Sequence, residues 1–158
     1  MTYKLFVTGK LKESYLKDAV DDYLNRLNHY RTVELIELPD FKDPKNASKK
    51  DLEKLKEKEE DAFLKQYKAG PIILFDETGK TLDSTQFSTW LSDLETRNTQ
   101  DLNFVIGGSN GHAATLKQKA DYRLSFSKMT FPHGLFRAIA LEQMYRAMKI
   151  RFNETYHK

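Results

Sequence analysis

The chain has 158 residues, 39% apolar and 31% charged, a size and balance that fit one globular domain spanning 1–158 with a sizeable core. No run of about 18 apolar residues is present, which excludes a membrane-spanning helix, and the opening Met1–Val7 stretch is too short and mixed for a signal peptide. The lack of cysteine excludes disulfides, thiol catalysis and cysteine-rich zinc sites, so a cytoplasmic setting is expected.

Strand and helix patterns alternate along the chain. Tyr3 to Thr8 reads as a first strand ended by Gly9. Leu11, Tyr15, Leu16, Ala19, Val20, Tyr23, Leu24 and Leu27 then recur at helical spacing. Val33 to Leu38 is a second strand stopped by Pro39, followed by a polar loop over 40–47. Ser48 suits the N-cap of a helix reaching about Tyr67 and ending at Gly70. Its first half is nearly all charged and reads as a solvent-facing helix with pairs such as Lys56 with Glu60.

Pro71 to Asp76 is an apolar third strand followed by a turn at Glu77-Thr78-Gly79-Lys80. Ser84 or Thr85 is expected to cap the next helix, which carries Phe87, Trp90, Leu91 and Leu94. Leu102 to Ile106 forms the fourth strand, Ala113 to Ala120 a short helix, and Tyr122 to Phe126 the fifth strand. Pro132 suits the first turn of a final helix, whose expected buried stripe runs from Leu135 and Phe136 to Ala147 and Ile150. This alternation predicts an α/β fold, a mainly parallel sheet with helices on both faces.

Two strand ends carry the chemistry. Val105-Ile106-Gly107-Gly108-Ser109-Asn110-Gly111 places three glycines in five residues, where backbone can approach a ligand closely. It is neither a dinucleotide fingerprint nor a P-loop, and a glycine turn after a strand also serves as plain structure. A flavodoxin-like flavin site would need its phosphate loop after the first strand. Leu124 to Arg137 is expected to meet the glycine turn at the carboxyl edge of the sheet, where α/β proteins bind small molecules.

His133 would lie in the first turn of the last helix, able to orient a substrate, accept a proton or simply cap. Arg137, one turn on, would share its face and hold a phosphate or carboxylate. Glu142 and Arg146 stand at i and i+4 and can pair. No metal is expected, because the four histidines lack zinc-ligand spacing, and no serine sits in a G-x-S-x-G elbow. From Lys117 onward nine Lys/Arg face three Asp/Glu, a basic bias that allows a phosphate-bearing substrate within a net charge of only +3.

On Val105–Gly111, Leu124–Arg137 and Tyr156-His157, the chain resembles the large-subunit ribosomal RNA methyltransferase H family of the SPOUT class, over essentially its whole length. The resemblance implies a C-terminal trefoil knot, against the usual rule that chains are unknotted, and S-adenosylmethionine as methyl donor. Its pocket would be lined by Phe75, where relatives often carry leucine, by Gly107, and by Phe126, Ser127, Lys128, Met129, Thr130 and Phe131. It also implies a homodimer whose sites borrow residues from the partner subunit, and methylation of N3 of a pseudouridine in 23S rRNA, with the assembled ribosome presenting the nucleotide. His157 and His133 are then the candidates for proton transfer, with Tyr156, Arg137 and Arg146 orienting RNA or stabilising charge. The alternatives are a related enzyme acting on another RNA such as tRNA, and a non-catalytic nucleotide-binding module associated with the ribosome.

Overall fold

The computed structural model describes residues 1–158. Ten elements alternate: β1 (Tyr3–Thr8), α1 (Ser14–Asn28), β2 (Val33–Leu38), α2 (Lys49–Gln66), β3 (Ile72–Thr81), α3 (Ser84–Arg97), β4 (Leu102–Ile106), α4 (Ala114–Lys119), β5 (Tyr122–Ser125) and α5 (His133–Arg151). The strands form one sheet in the order β2-β1-β4-β3-β5, and every pairing is parallel.

Period-two alternation sends side chains to both faces of this sheet. Leu5, Val7, Ile73, Phe104 and Ile106 pack toward α1, α3 and α5, while Phe6, Leu74 and Val105 face Phe63 of α2 and Leu116 of α4. Each such fully buried apolar side chain contributes roughly 1.5–3 kcal/mol relative to exposure. Phe6 and Phe63 meet edge-on with ring centroids 4.9 Å apart. Helices therefore cover both faces, as the alternation predicts.

Ser48 caps α2 through a reciprocal box with Asp51. Helix α3 differs from expectation: its cap is Asp83, not Ser84 or Thr85, because Asp83 and Gln86 satisfy each other's backbone N–H groups. Strand β3 also differs. The expected turn at 77–80 is an irregularity inside a ten-residue strand, whose pairing with β5 jumps from Phe75–Leu124 to Lys80–Leu124. Asp76 accepts from the Thr78 N–H (3.1 Å) and hydroxyl (3.0 Å), which makes the kink. Gly79 then lies so close to β5 that a Cβ there would stand 2.6 Å from the Arg123 carbonyl carbon.

Helix α5 buries Ala140, Met144 and Ala147 as expected, and beside them Leu141, Tyr145 and Met148. Leu135 stays 39% exposed, and Phe136, Ile139 and Ile150 are half-buried, so the predicted stripe is only partly core. The order β4-β3-β5 brings the loops after β4 and β5 to either side of the β3 kink at one edge of the sheet. That edge holds the cavity.

Candidate active site

A cavity of about 340 Å³ opens between the glycine turn after β4, the kink of β3 and the loop from β5 to α5. Its apolar wall is an aromatic cluster: Phe75 lies 5.0 Å from Phe126 and 5.5 Å from Phe136, ring to ring. The opposite wall is backbone. Gly111, at φ +79°, donates its N–H to the Gly108 carbonyl at 3.0 Å and closes the turn.

The loop after β5 is shaped by its serines. Ser125 donates to the Ser127 carbonyl at 3.0 Å, and the Ser127 hydroxyl accepts from the Met129 N–H at 2.9 Å. Met129, 75% exposed, stands at the cavity mouth. Glu77 also lines the cavity and adds a carboxylate to its rim. Asp76, beside it, is held below the ordinary carboxylate range. Burial opposes that shift, but bonds from Thr78 and the ammonium of Lys117 outweigh it.

Of the residues expected to line the pocket, Phe75, Gly107, Phe126, Ser127, Met129, Thr130 and Phe131 do so, and Lys128 is exposed outside it. His133 lines it as well. Arg137 does not. Its guanidinium is 1% exposed and donates to the carbonyls of Thr8 (2.6 Å) and Gly9 (3.0 Å), where β1 leaves the sheet. The expected phosphate contact is thereby corrected: Arg137 keeps roughly the face of His133 but stands about 6 Å further along the helix, where its Nη2 bonds the end of β1 and its Nε and Nη1 are buried without a hydrogen-bond partner.

Tyr156, His157 and Arg146 form a second cluster at the far end of α5. Glu142 accepts from Arg146 Nε at 3.0 Å and from the Tyr156 hydroxyl at 3.0 Å, confirming the expected i,i+4 pair. The Arg146 guanidinium also sits 4.7 Å over the Tyr156 ring. Arg146 Nη1 lies 3.2 Å from His157 Nδ1, and since a guanidinium only donates, Nδ1 must accept. The His157 ring is then protonated on Nε2 and presents a donor. Burial and Glu142 together push the Tyr156 phenol up to about 12, so it stays protonated. Thirteen residues of helix, about 20 Å at 1.5 Å per residue, separate His133 from Arg146.

His112 is a cavity residue that sequence reasoning missed. It is 6% exposed and its Nε2 meets the Phe75 carbonyl at 2.9 Å, fixing the protonated nitrogen as Nε2. Burial pushes this ring toward its neutral form, against the pull of the Phe75 carbonyl. Its position directly after Gly111 was the available signal. No group of three or more metal-ligating side chains is gathered in the structure, and no helix is long and apolar enough to cross a membrane.

Residues 1–157 match the family described as "Predicted SPOUT methyltransferase". The chain belongs to the SPOUT methyltransferase family. A protein named "Ribosomal RNA large subunit methyltransferase H 1" from Clostridium perfringens is 46% identical over 159 aligned residues, covering 100% of both chains. The protein named "Ribosomal RNA large subunit methyltransferase H" from Clostridium acetobutylicum is likewise 46% identical with full coverage of both. This chain is therefore a member of that methyltransferase H family within the SPOUT class. A solved structure described as a probable methylase family protein from Haemophilus influenzae Rd KW20 shares the fold, with a TM-score of 0.52 at 9% identity. That alignment covers 96% of this chain and 66% of the other.

Proposed function

We propose that this chain transfers a methyl group from S-adenosylmethionine to N3 of a pseudouridine in 23S rRNA, on the large subunit or the whole ribosome in the cytoplasm. The observation that carries this reading is the full-length identity of 46% to proteins named for large-subunit rRNA methylation. The cavity fits the donor: aromatic rings of Phe75 and Phe126 suit an adenine face, and the glycine turn offers backbone groups to its edge. The Glu77 carboxylate at the rim complements a positively charged ligand.

When bound, the donor supplies a methyl group activated on a sulfonium, so the chemistry needs no metal. The protein's task is alignment and charge. Uracil-type N3–H is a weak acid, so negative charge grows on the ring as its proton leaves. His157, held by Arg146 with Nε2–H outward, donates to that charge rather than taking the proton. We assign acceptance of the proton to His133, because it lines the cavity. Tyr156, anchored on Glu142, fixes the geometry of the tail.

These two groups of residues lie about 20 Å apart on α5, too far to act on one base within a chain. A homodimer with antiparallel α5 helices resolves this, bringing the His157 end of each copy to the cavity of the other. Half-buried Ile139 and Ile150 and exposed Leu135 supply an apolar face for it. The same reading gives the segment after β4 the trefoil knot of the class, consistent with β5 pairing beside β3 rather than at the β2 edge.

The test is transfer of labelled methyl to ribosomes that lack the modification, with the nucleoside identified by mass spectrometry. Methylpseudouridine confined to large-subunit RNA supports the reading. Label in tRNA moves the substrate, and no transfer despite donor binding leaves a non-catalytic module.

A further inference from the structure

Helix α2 grips the whole segment that follows β4. Glu53 accepts from the Ala114 N–H at 2.7 Å, capping α4, whose own N-cap is an alanine without a polar side chain. Glu60, 4% exposed, binds the Thr115 hydroxyl and, at 2.6 Å, Lys119 Nζ. Asp43, in the loop before α2, accepts from the Asn110 side chain at 2.8 Å. Between these grips sits Glu59, against the glycine turn. A Cβ on Gly108 would stand 2.8 Å from Glu59 Oε1 and 3.2 Å from Oε2, so the carboxyl group occupies the space a side chain would need.

We propose that Glu59 is a positioning residue: its carboxyl group braces the Gly108 peptide from outside the cavity and sets the affinity of the glycine turn for the methyl donor. Glu59 does not line the cavity, so it acts through the turn alone. The proposal rests on the methyltransferase reading only for the identity of the ligand. Burial, then the carboxylates of Asp40 and Asp43, push the Glu59 carboxyl up to about 7, while the facing Gly108 N–H and Lys56 oppose the shift. Lys56 is itself engaged by Glu53 at 2.7 Å, which leaves Glu59 without an undivided counter-charge. The brace is therefore populated in two protonation states near neutral pH, and a glutamine should hold the turn in one.

The experiment follows the Gly108 amide in ligand-free protein by ¹H–¹⁵N spectroscopy between about pH 5 and pH 9, beside calorimetric binding of S-adenosylhomocysteine. The Gly108 amide is expected to titrate with a midpoint near 7 in the unaltered protein and to stop doing so in Glu59→Gln. Glu59→Gln, which keeps a polar group of the same size against Gly108, should bind within about twofold of wild type, and Glu59→Leu, which removes the polar group, about tenfold more weakly. A Gly108 amide that ignores both pH and Glu59→Gln overturns the proposal, as does Glu59→Leu binding at full affinity. If Glu59→Leu does not fold, the amide titration in Glu59→Gln decides alone. If the unaltered protein binds no S-adenosylhomocysteine, the methyltransferase reading fails, and the Gly108 titration still decides whether the brace exists.

Discussion

Arg146 donates to Nδ1 of His157 across 3.2 Å, and that contact decides which nitrogen of the imidazole faces outward. With Nδ1 occupied, Nε2 carries the proton. His157→Ala should lower kcat about a hundredfold or more while leaving the KM for the methyl donor nearly unchanged. Glutamine places an N–H close to the imidazole Nε2, so His157→Gln should retain more turnover than alanine. Steady-state kinetics of the two variants checks this; equal losses would argue for a base rather than a donor.

Arg137 belongs to the framework. Its guanidinium ties α5 to the end of β1 through the Thr8 and Gly9 carbonyls. Arg137→Ala removes both bonds made by Nη2 and the packing of a buried stem, at a cost of about 2–3 kcal/mol. Denaturant unfolding should show that loss, and residual folded protein should keep its kcat. A variant of full stability and no turnover would contradict this placement.

Particular residues show where the sequence was legible. Strands β2 and β4 fall where their apolar runs place them, because Pro39 and Gly107-Gly108 end them sharply. The glycine turn and the loop after β5 were readable as one site, since both follow the carboxyl ends of strands; the sheet order sets them on either side of β3. The role of α2 was not. Its carboxylates look like a solvated face by periodicity, and the expected Lys56–Glu60 pair is absent: Lys56 pairs with Glu53, and Glu60 with Lys119. Partners some 60 residues away leave no mark on local spacing. Arg137 was misread for the same reason, because helical phase alone does not show what the next layer presents.

His112 gives a pH dependence of known sign. Burial lowers its folded pKa below the ordinary value of 6.5, so the unfolded chain binds the proton more readily. Its contribution to stability is complete above the unfolded pKa and declines as pH falls below about 6.5. Glu59 acts oppositely: its folded pKa of about 7 exceeds the ordinary 4.5, so its contribution is complete below 4.5 and is lost as pH rises through about 7. Unfolding free energies measured at a series of pH values should show His112→Gln flattening the acid limb. An unchanged acid limb would place the titration elsewhere.

Phe126 touches Phe75, Phe87 and Phe136, with centroids 5.0, 5.4 and 5.7 Å away. Phe126→Ala opens the apolar wall and should cost roughly 2 kcal/mol of stability, less than a fully buried phenylalanine. Its larger effect should be on donor affinity, with KM rising more than kcat falls. Calorimetry with S-adenosylhomocysteine is the direct check, and undiminished binding would exclude Phe126 from the site.

Methylation of pseudouridine N3 in 23S rRNA is measured by supplying the purified protein with labelled S-adenosylmethionine and ribosomes from cells lacking it, then locating the label by nucleoside mass spectrometry. N3-methylpseudouridine is expected in large-subunit RNA and none in tRNA. Label in any other nucleoside, or binding of the donor without transfer to ribosomes, would contradict it.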